Sequence, residues 1–233
     1  NLMPVTINGS GSIAGLSVGG LGNGGIVDAD SLSANAVTTA KIANSAVTYA
    51  KTSGVSGLVP LATHIVSSNT SAVTFTESNV TNAFTDFKTY MIVMDGVRSV
   101  SDNEDFEMRV RHGSNGSSLY SNSDYYSGTV GVSADEHFGV LNRFRLNYNN
   151  VGNLEASGYV KEDWNCTIYL HGFENNRRFR YHGHNAYMSS DGALRGQYIH
   201  GAVTDATEVT GLELQYTNQN NIATGRFTMY GVA

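Results

Sequence analysis

Residues 106–111 read Phe-Glu-Met-Arg-Val-Arg, and this strict alternation of apolar and charged side chains decides the fold. Successive side chains of a β-strand point to opposite faces of a sheet, so such a stretch buries one face and exposes the other. Residues 143–148 and 212–216 show the same alternation. The period of two predicts antiparallel strands, each with one dry face and one wet face.

Strand signals continue on both sides of this stretch. Residues 91–94, Met-Ile-Val-Met, form an apolar run of the kind that is typical of a strand covered on both faces. Turn-forming Gly, Asn and Ser clusters separate further candidate strands at 72–76, 166–173, 179–188, 197–203 and 225–232. With no sustained helical period, the sequence predicts an all-β domain over residues 59–233: an antiparallel β-sandwich that is jelly-roll-like.

Composition excludes several classes of function. The chain has 233 residues and a net charge of −6 with only 14 Lys and Arg, so it lacks the basic surface that nucleic-acid binding requires. Cys166 is the single cysteine, which excludes an intramolecular disulfide. No stretch approaches the ~20 consecutive apolar residues of a membrane helix, and the first residues do not resemble a signal peptide. We expect no membrane insertion.

Residues 1–58 differ in composition from the rest, because they contain no Phe or Trp and a single Tyr. Within them Ala-Val-Thr-Thr-Ala-Lys at 36–41 recurs as Ala-Val-Thr-Tyr-Ala-Lys at 46–51. One such unit cannot bury its few apolar side chains alone, so neighbouring units or identical chains must cover them. The repeat predicts an extended Gly/Ser/Ala-rich stalk over residues 1–58. A flexible linker is the alternative.

A resemblance rests on Val-Thr-Thr-Ala-Lys-Ile at 37–42, its echo from Val47, and the Gly/Ser-rich opening at 8–13. These units resemble the shafts of bacteriophage tail fibres and related virion fibres. The order of stalk and β-sandwich, closed by a strand at 225–232, is similar to phage fibre proteins with an exposed C-terminal knob. The resemblance implies a homotrimer at the virion surface that contacts other virion proteins through its N-terminal segment and a host glycan through its knob.

Catalytic motifs are missing from the sequence, which contains no nucleophile elbow, HExxH or P-loop. Carboxylates cluster at 102–105, 135–136 and 162–163, but their positions in the sequence do not place any two across a cleft, as glycoside hydrolysis requires. We interpret them as solvated turn residues, with a Ca²⁺ site at 102–105 as the alternative. We therefore expect no enzymatic activity and no organic cofactor.

Tyrosine is the most frequent aromatic residue, with 13 copies against 9 Phe and one Trp. Its ring combines apolar area with a polar tip, which suits the stacking of sugars. We identify candidate receptor contacts in a Ser/Asn-rich segment that we expect to be a loop, and at the single tryptophan: Tyr120, Asp124, Tyr125, Tyr126 and Trp164. Because tyrosine is also a favoured strand residue, a structural role is the alternative for each.

His182 and His184 lie two residues apart, on one face of a candidate strand, with His171 and His200 in neighbouring strands. Imidazoles at this spacing are able to bind one metal ion, which three chains would share around an axis. The His-x-His unit also resembles the metal-binding motif of some phage long-tail-fibre tips. The alternative is that these are ordinary exposed or hydrogen-bonded strand histidines.

Three functional hypotheses follow from the sequence. The first is a non-enzymatic virion fibre or adhesin whose C-terminal domain binds a host surface glycan. The second is a capsid or tail decoration protein with the same domain and no receptor. The third is a polysaccharide depolymerase, which short alternating strands disfavour because such enzymes are built from many stacked repeats.

Overall fold

A computed structural model describes residues 57–81, 84, 86–120, 125–131, 135–141, 143–147, 151, 163–174, 177–190, 192–204, 208–217 and 220–233. The predicted stalk lies outside these ranges apart from its last two residues, so its repeats and its trimerisation stay predictions. The first strand begins at Leu58.

The described residues form thirteen β-strands and one short 3-10 turn at 114–116. The strands are β1 (Leu58–Val66), β2 (Val73–Thr76), β3 (Thr89–Ser99), β4 (Phe106–His112), β5 (Ser118–Leu119), β6 (Tyr125–Gly131), β7 (Asp135–Leu141), β8 (Phe144–Arg145), β9 (Trp164–His171), β10 (Arg180–Met188), β11 (Leu194–Val203), β12 (Gly211–Tyr216) and β13 (Ile222–Val232). Within this part of the chain, no helix has the length and apolar character that a membrane crossing demands.

The strands form two antiparallel sheets. The large sheet has the order β1-β13-β3-β9-β10-β11-β6-β7, and the small sheet has the order β2-β12-β4-β5, with β8 also paired to β4. The pairs β1 with β13, β2 with β12, β3 with β9 and β4 with β8 are nested, as in a long hairpin folded over on itself. This nesting of first with last strand is the jelly-roll pattern, so the predicted all-β sandwich is confirmed.

Aromatic side chains join the two sheets. Phe106 of β4 lies 4.7 Å from Trp164 of β9 and 4.9 Å from Tyr216 of β12, measured between ring centroids. Phe144 of β8 contacts Tyr181 of β10 at 4.7 Å. All five rings are buried, and each contributes roughly 1.5–3 kcal/mol through the apolar surface that it removes from water. The Phe106–Trp164 and Phe144–Tyr181 contacts join strands of opposite sheets, and Tyr216 is the cross-strand neighbour of Phe106 within the small sheet.

The outer face of the small sheet is less wet than the alternating pattern predicts. Glu107 of β4 and Glu213 of β12 are buried, although the alternation at 106–111 and 212–216 predicted that this face is solvated. The Glu107 carboxylate lies 2.7 Å from Arg143 Nε, and Glu213 lies 3.0 Å from Arg111. Burial raises the pKa of Glu107, and hydrogen bonding from Gln215 and the nearby arginines oppose that shift. The charges form an ion-pair layer and not a free surface.

The carboxylates at 104–105 also differ from the prediction of solvated turn residues. Glu104 and Asp105 are both buried. Glu104 accepts hydrogen bonds from the side chains of Thr217 and Asn220, and Asp105 pairs with Arg145. Their oxygens thus bind side chains that tie the start of β4 to the end of β12 and to β8. The other two carboxylate clusters are at 135–136 and 162–163. The side chains at 135–136 and residue 162 lie outside the described part of the protein.

Three long strands were not predicted. β1 contains Pro60, which lowers the strand signal, but β1 is an edge strand where proline is tolerated. β6 and β7 occupy the other edge of the large sheet, and Tyr125–Gly131 belongs to β6 where a loop was expected. At 143–148 the alternation extends further than the strand, because only Phe144–Arg145 pairs with β4.

Candidate functional site

A groove of about 1050 Å³ lies on the outer face of the large sheet, where β9, β10, β11 and β6 run side by side. We call it the outer groove. Cross-strand pairing sets its floor, since His182 of β10 is opposite Tyr169 of β9 on one side and His200 of β11 on the other. One end is formed by the connection that follows β9, which includes Glu174 and Arg177.

Strand alternation determines which side chains enter the outer groove. In β10 the buried residues Tyr181 and Gly183 flank His182, which is half-buried on the opposite face, and His184 is exposed on that same face. A Cβ atom on Gly183 would overlap the carbonyl oxygen of Thr167 and lie 2.8 Å from Ile168 Cα. The absence of a side chain at Gly183 therefore allows β9 and β10 to pair closely beneath the histidines.

Four rings that line the outer groove lie together with the Tyr169 ring of β9, which is stacked on His182, and we call these five the ring cluster: Tyr169, His171, His182, Tyr198 and His200. His182 is stacked on His171 at 5.3 Å and on Tyr169 at 5.4 Å between centroids. Tyr198 lies 6.4 Å from His182 and 6.2 Å from His200. The rings present a nearly continuous aromatic surface across three strands, and the Tyr198 side chain is 48% exposed.

Several polar groups of the outer groove have no protein partner among the described residues. His171 Nδ1 lies 3.2 Å from the Thr89 hydroxyl, whereas the imidazole of His182 makes no hydrogen bond within this set. The hydroxyls of Tyr126 and Tyr198 are likewise without a partner there, and both residues are 48% exposed. The groove therefore offers donors and acceptors that water or a ligand would satisfy.

Charged side chains lie at one side of the ring cluster. Glu174 binds Lys88 and also lies 2.9 Å from Arg177 Nε. Arg180 begins β10, where it is exposed and makes no ion pair within the described ranges. The hydrogen bond from Lys88 is the largest cause that lowers the pKa of Glu174, so this carboxylate is ionised at neutral pH.

The environment of His171 disfavours its protonated form. Partial burial is the largest cause that lowers the pKa of His171 from its ordinary value of 6.5, and the neighbouring His182 and Arg180 lower it further. A second positive charge next to Arg180 would be repelled. His171 is therefore neutral at neutral pH.

The connection between β9 and β10 depends on a glycine. Gly172 has a φ of +82°, and a Cβ atom there would overlap the carbonyl oxygen of Arg178. Only glycine adopts this conformation at so close an approach without strain. The tight start of the connection brings Glu174 and Arg177 to the end of the outer groove.

The predicted receptor contacts are divided between the core and the outer groove. Tyr120, Tyr125 and Trp164 are 4%, 0% and 0% exposed, so they belong to the core and not to a receptor surface. Tyr125 accepts a hydrogen bond from the Val110 N–H at 3.0 Å, which satisfies its hydroxyl inside the sandwich. Tyr126 lines the outer groove, whereas Asp124 lies outside the described residues.

The histidines predicted from the sequence do come together. His182 and His184 share the outer face of β10, His200 of β11 is opposite His182, and the His171 ring of β9 is stacked on His182. Within the described ranges, no three His, Cys, Asp or Glu side chains are grouped so that they would hold a metal ion. The stacked arrangement of His171 and His182 places ring face against ring face. A metal ion shared by three chains stays a prediction.

Sequence reasoning missed two tyrosines of the ring cluster and the charged residues of the groove: Tyr169, Tyr198, Lys88, Glu174, Arg177 and Arg180. The signal was present, because Tyr169 and His171 alternate with apolar residues in β9, and Tyr198 and His200 alternate in β11. Only the pairing of β9, β10 and β11 shows that these outward positions are adjacent. Comparisons with protein-family models, with curated proteins and with solved structures find no match for the chain.

Proposed function

We propose that this protein is a non-enzymatic virion fibre or adhesin of a bacteriophage, and that its C-terminal sandwich binds a host surface glycan in the outer groove. The assignment to a virion fibre rests on the repeats at 37–42 and from Val47. In this proposal residues 1–58 form a trimeric stalk that attaches to other virion proteins. The sandwich then lies at the virion surface.

The ring cluster carries the proposal for glycan binding. Saccharides present apolar C–H faces together with hydroxyl groups, and tyrosine and imidazole rings complement both. The outer groove combines stacked rings with the hydroxyls of Tyr126 and Tyr198, which have no partner in the part of the chain that the structure describes. A rigid sheet holds these side chains, so little conformational entropy is lost when they bind.

A non-catalytic role is consistent with the described carboxylates. Glu107, Glu213 and Asp105 are each bound to arginine, and Glu174 is bound to Lys88 and Arg177. Carboxylates held this way are tied to structural cations, whereas glycoside hydrolysis needs one carboxyl group that donates a proton to the leaving group.

Retention on immobilised polysaccharides tests the proposal. The full chain is passed over a panel of purified bacterial capsular polysaccharides and lipopolysaccharides, and the length of each polysaccharide is measured afterwards. We expect retention without shortening of the polysaccharide. Shortening would identify a depolymerase, and no retention on any member would favour a decoration protein.

Two variants connect retention to the outer groove. Replacement Tyr198→Ala removes an exposed ring of the cluster, and we expect it to weaken binding by about tenfold, as stacking contacts are worth roughly 1 kcal/mol or more. Leu194→Ala is the matched control, because Leu194 is on the same strand and is 78% exposed but does not line the groove. Equal loss in both variants would contradict the assignment of the site.

A further inference from the structure

We propose that the saccharide bound in the outer groove carries a carboxylate, and that Arg180 is the residue that binds it. This inference rests on the proposed function, which by itself requires only that the groove bind a saccharide. It adds the chemical class of the ligand and a residue that determines specificity.

The charge of the outer groove is opposite to that of the whole chain. The chain carries a net charge of −6, yet the groove is lined by three cations, Lys88, Arg177 and Arg180, against one carboxylate, Glu174. Counted over its Lys, Arg and Glu side chains, the charge of the groove lining is +3 − 1 = +2. A concave surface with a concentrated positive charge attracts anions even on an acidic protein.

Arg180 is the cation that is available to a ligand. Lys88 and Arg177 both bind the carboxylate of Glu174, whereas Arg180 has no ion-pair partner among the described residues. Its neighbour across β11 is Ala202, and its neighbour across β9 is His171. The small side chain of Ala202 leaves space beside the guanidinium group on the outer face.

A carboxylate on a sugar suits both parts of the outer groove. The planar guanidinium group of arginine forms two parallel hydrogen bonds with a carboxylate, and it is more weakly hydrated than an ammonium group. The exposed ring of Tyr198, which lines the same groove, would contact the sugar ring that bears the acid. A polyphosphate chain such as nucleic acid would require many free cations, and of the two arginines that line the groove only Arg180 has no ion pair within the described ranges.

Paired acidic and neutral oligosaccharides test the inference on the full chain. Binding of trigalacturonate is compared with that of the neutral galactose trisaccharide, and binding of sialyllactose is compared with that of lactose. The first pair places the acid within a chain, and the second places it at an end. We expect at least one acidic member to bind about tenfold more tightly than its neutral partner.

The variant Arg180→Gln should remove that difference, so that the acidic member binds no more tightly than its neutral partner. Arg178→Gln is the matched control, because Arg178 lies two residues before Arg180, is also exposed and does not line the groove. It subtracts the same charge from the same region and should keep the preference. Since Arg180 is exposed and unpaired within the described set, thermal unfolding should be the same in both variants.

Equal binding of acidic and neutral sugars, or equal losses in Arg180→Gln and Arg178→Gln, would overturn the inference. Failure of both acids to bind would overturn it as well. None of these results affects retention on the polysaccharide panel, which tests the proposed function separately. Absence of retention on every member of that panel would instead remove the proposed function and this inference together.

Discussion

Two adjacent tyrosines of β6 have opposite roles at the scale of single residues. Tyr125 is fully buried and its hydroxyl bonds the Val110 backbone, whereas Tyr126 is 48% exposed in the outer groove. We expect Tyr125→Ala to lower the free energy of unfolding by about 3–5 kcal/mol, because it leaves a cavity and an unpaired N–H. Tyr126→Ala should change it by less than about 0.5 kcal/mol. Chemical denaturation of both variants measures the difference.

The same pair separates stability from binding. If the outer groove binds a glycan, Tyr126→Ala should reduce retention on the polysaccharide panel with unchanged thermal unfolding. Tyr125→Ala should lose retention only in proportion to its unfolded fraction. A normal melting temperature for Tyr125→Ala would mean that β6 is wrongly placed.

The second prediction at this scale concerns pH and His171. Burial lowers the pKa of His171 below its ordinary value of 6.5, so the unfolded chain takes up this proton more readily than the folded chain. Stability should therefore fall as the pH drops through about 6.5 and level off below the folded-state pKa. In His171→Gln this part of the pH dependence should disappear. Melting temperatures between about pH 7 and pH 5 check it, and identical slopes for both proteins would contradict it.

At the scale of elements, the pairing of β9 with β10 builds the ring cluster. Gly183 allows this pairing, since a Cβ atom would overlap the Thr167 carbonyl oxygen. We expect Gly183→Ala to lower the free energy of unfolding by about 3 kcal/mol or more, because the added Cβ atom would overlap backbone atoms that cannot move aside. Gly196→Ala in β11 is the matched control, where the nearest atom would be 3.8 Å away. It should be close to neutral in the same denaturation experiment.

A similar decrease in the free energy of unfolding for Gly196→Ala and Gly183→Ala would contradict a special role of Gly183 in strand pairing. If Gly183→Ala alone destabilises, its effect on the outer groove follows from the register. His182 is opposite Tyr169, and a shift of β10 by one residue would turn His182 toward the core. The ring cluster therefore depends on the register of two strand pairs and on no single contact.

At the scale of the whole molecule, the prediction concerns assembly through residues 1–58. The regularly spaced Val, Leu and Ile of that segment need partners that one repeat does not supply. We expect the full chain to have the mass of three chains in light scattering, and a shortened chain that starts at Gly57 to have the mass of one. The shortened chain retains the whole of β1. A monomeric full chain would contradict the predicted stalk.

Trimerisation would also alter binding. Three outer grooves on one trimer act together on a repetitive polysaccharide, because the first contact raises the effective concentration of the others. The full chain should therefore be retained on a polysaccharide far longer than the shortened chain, with equal affinity for a short oligosaccharide. Equal retention of the two chains would indicate that the grooves act singly.

Local pattern in the sequence was sufficient for much of the fold. The alternation at 106–111 and 212–216 predicts β4 and β12, and the apolar run at 91–94 predicts the centre of β3. The two-faced character of most strands already implies a sandwich, because each dry face must be covered by another sheet. The placement of His182 and His184 on the same face also follows from a period of two within one strand.

What only the tertiary structure decided is which strands are neighbours. Tyr169, His182 and Tyr198 come from three strands whose adjacency depends on pairing over long stretches of sequence. The pattern alone also fails to predict which acidic side chains are buried. Glu107 and Asp105 are buried because each forms an ion pair, with Arg143 and Arg145 respectively. Local spacing determines the face on which a side chain lies, whereas the free energy of packing two sheets determines what that face meets.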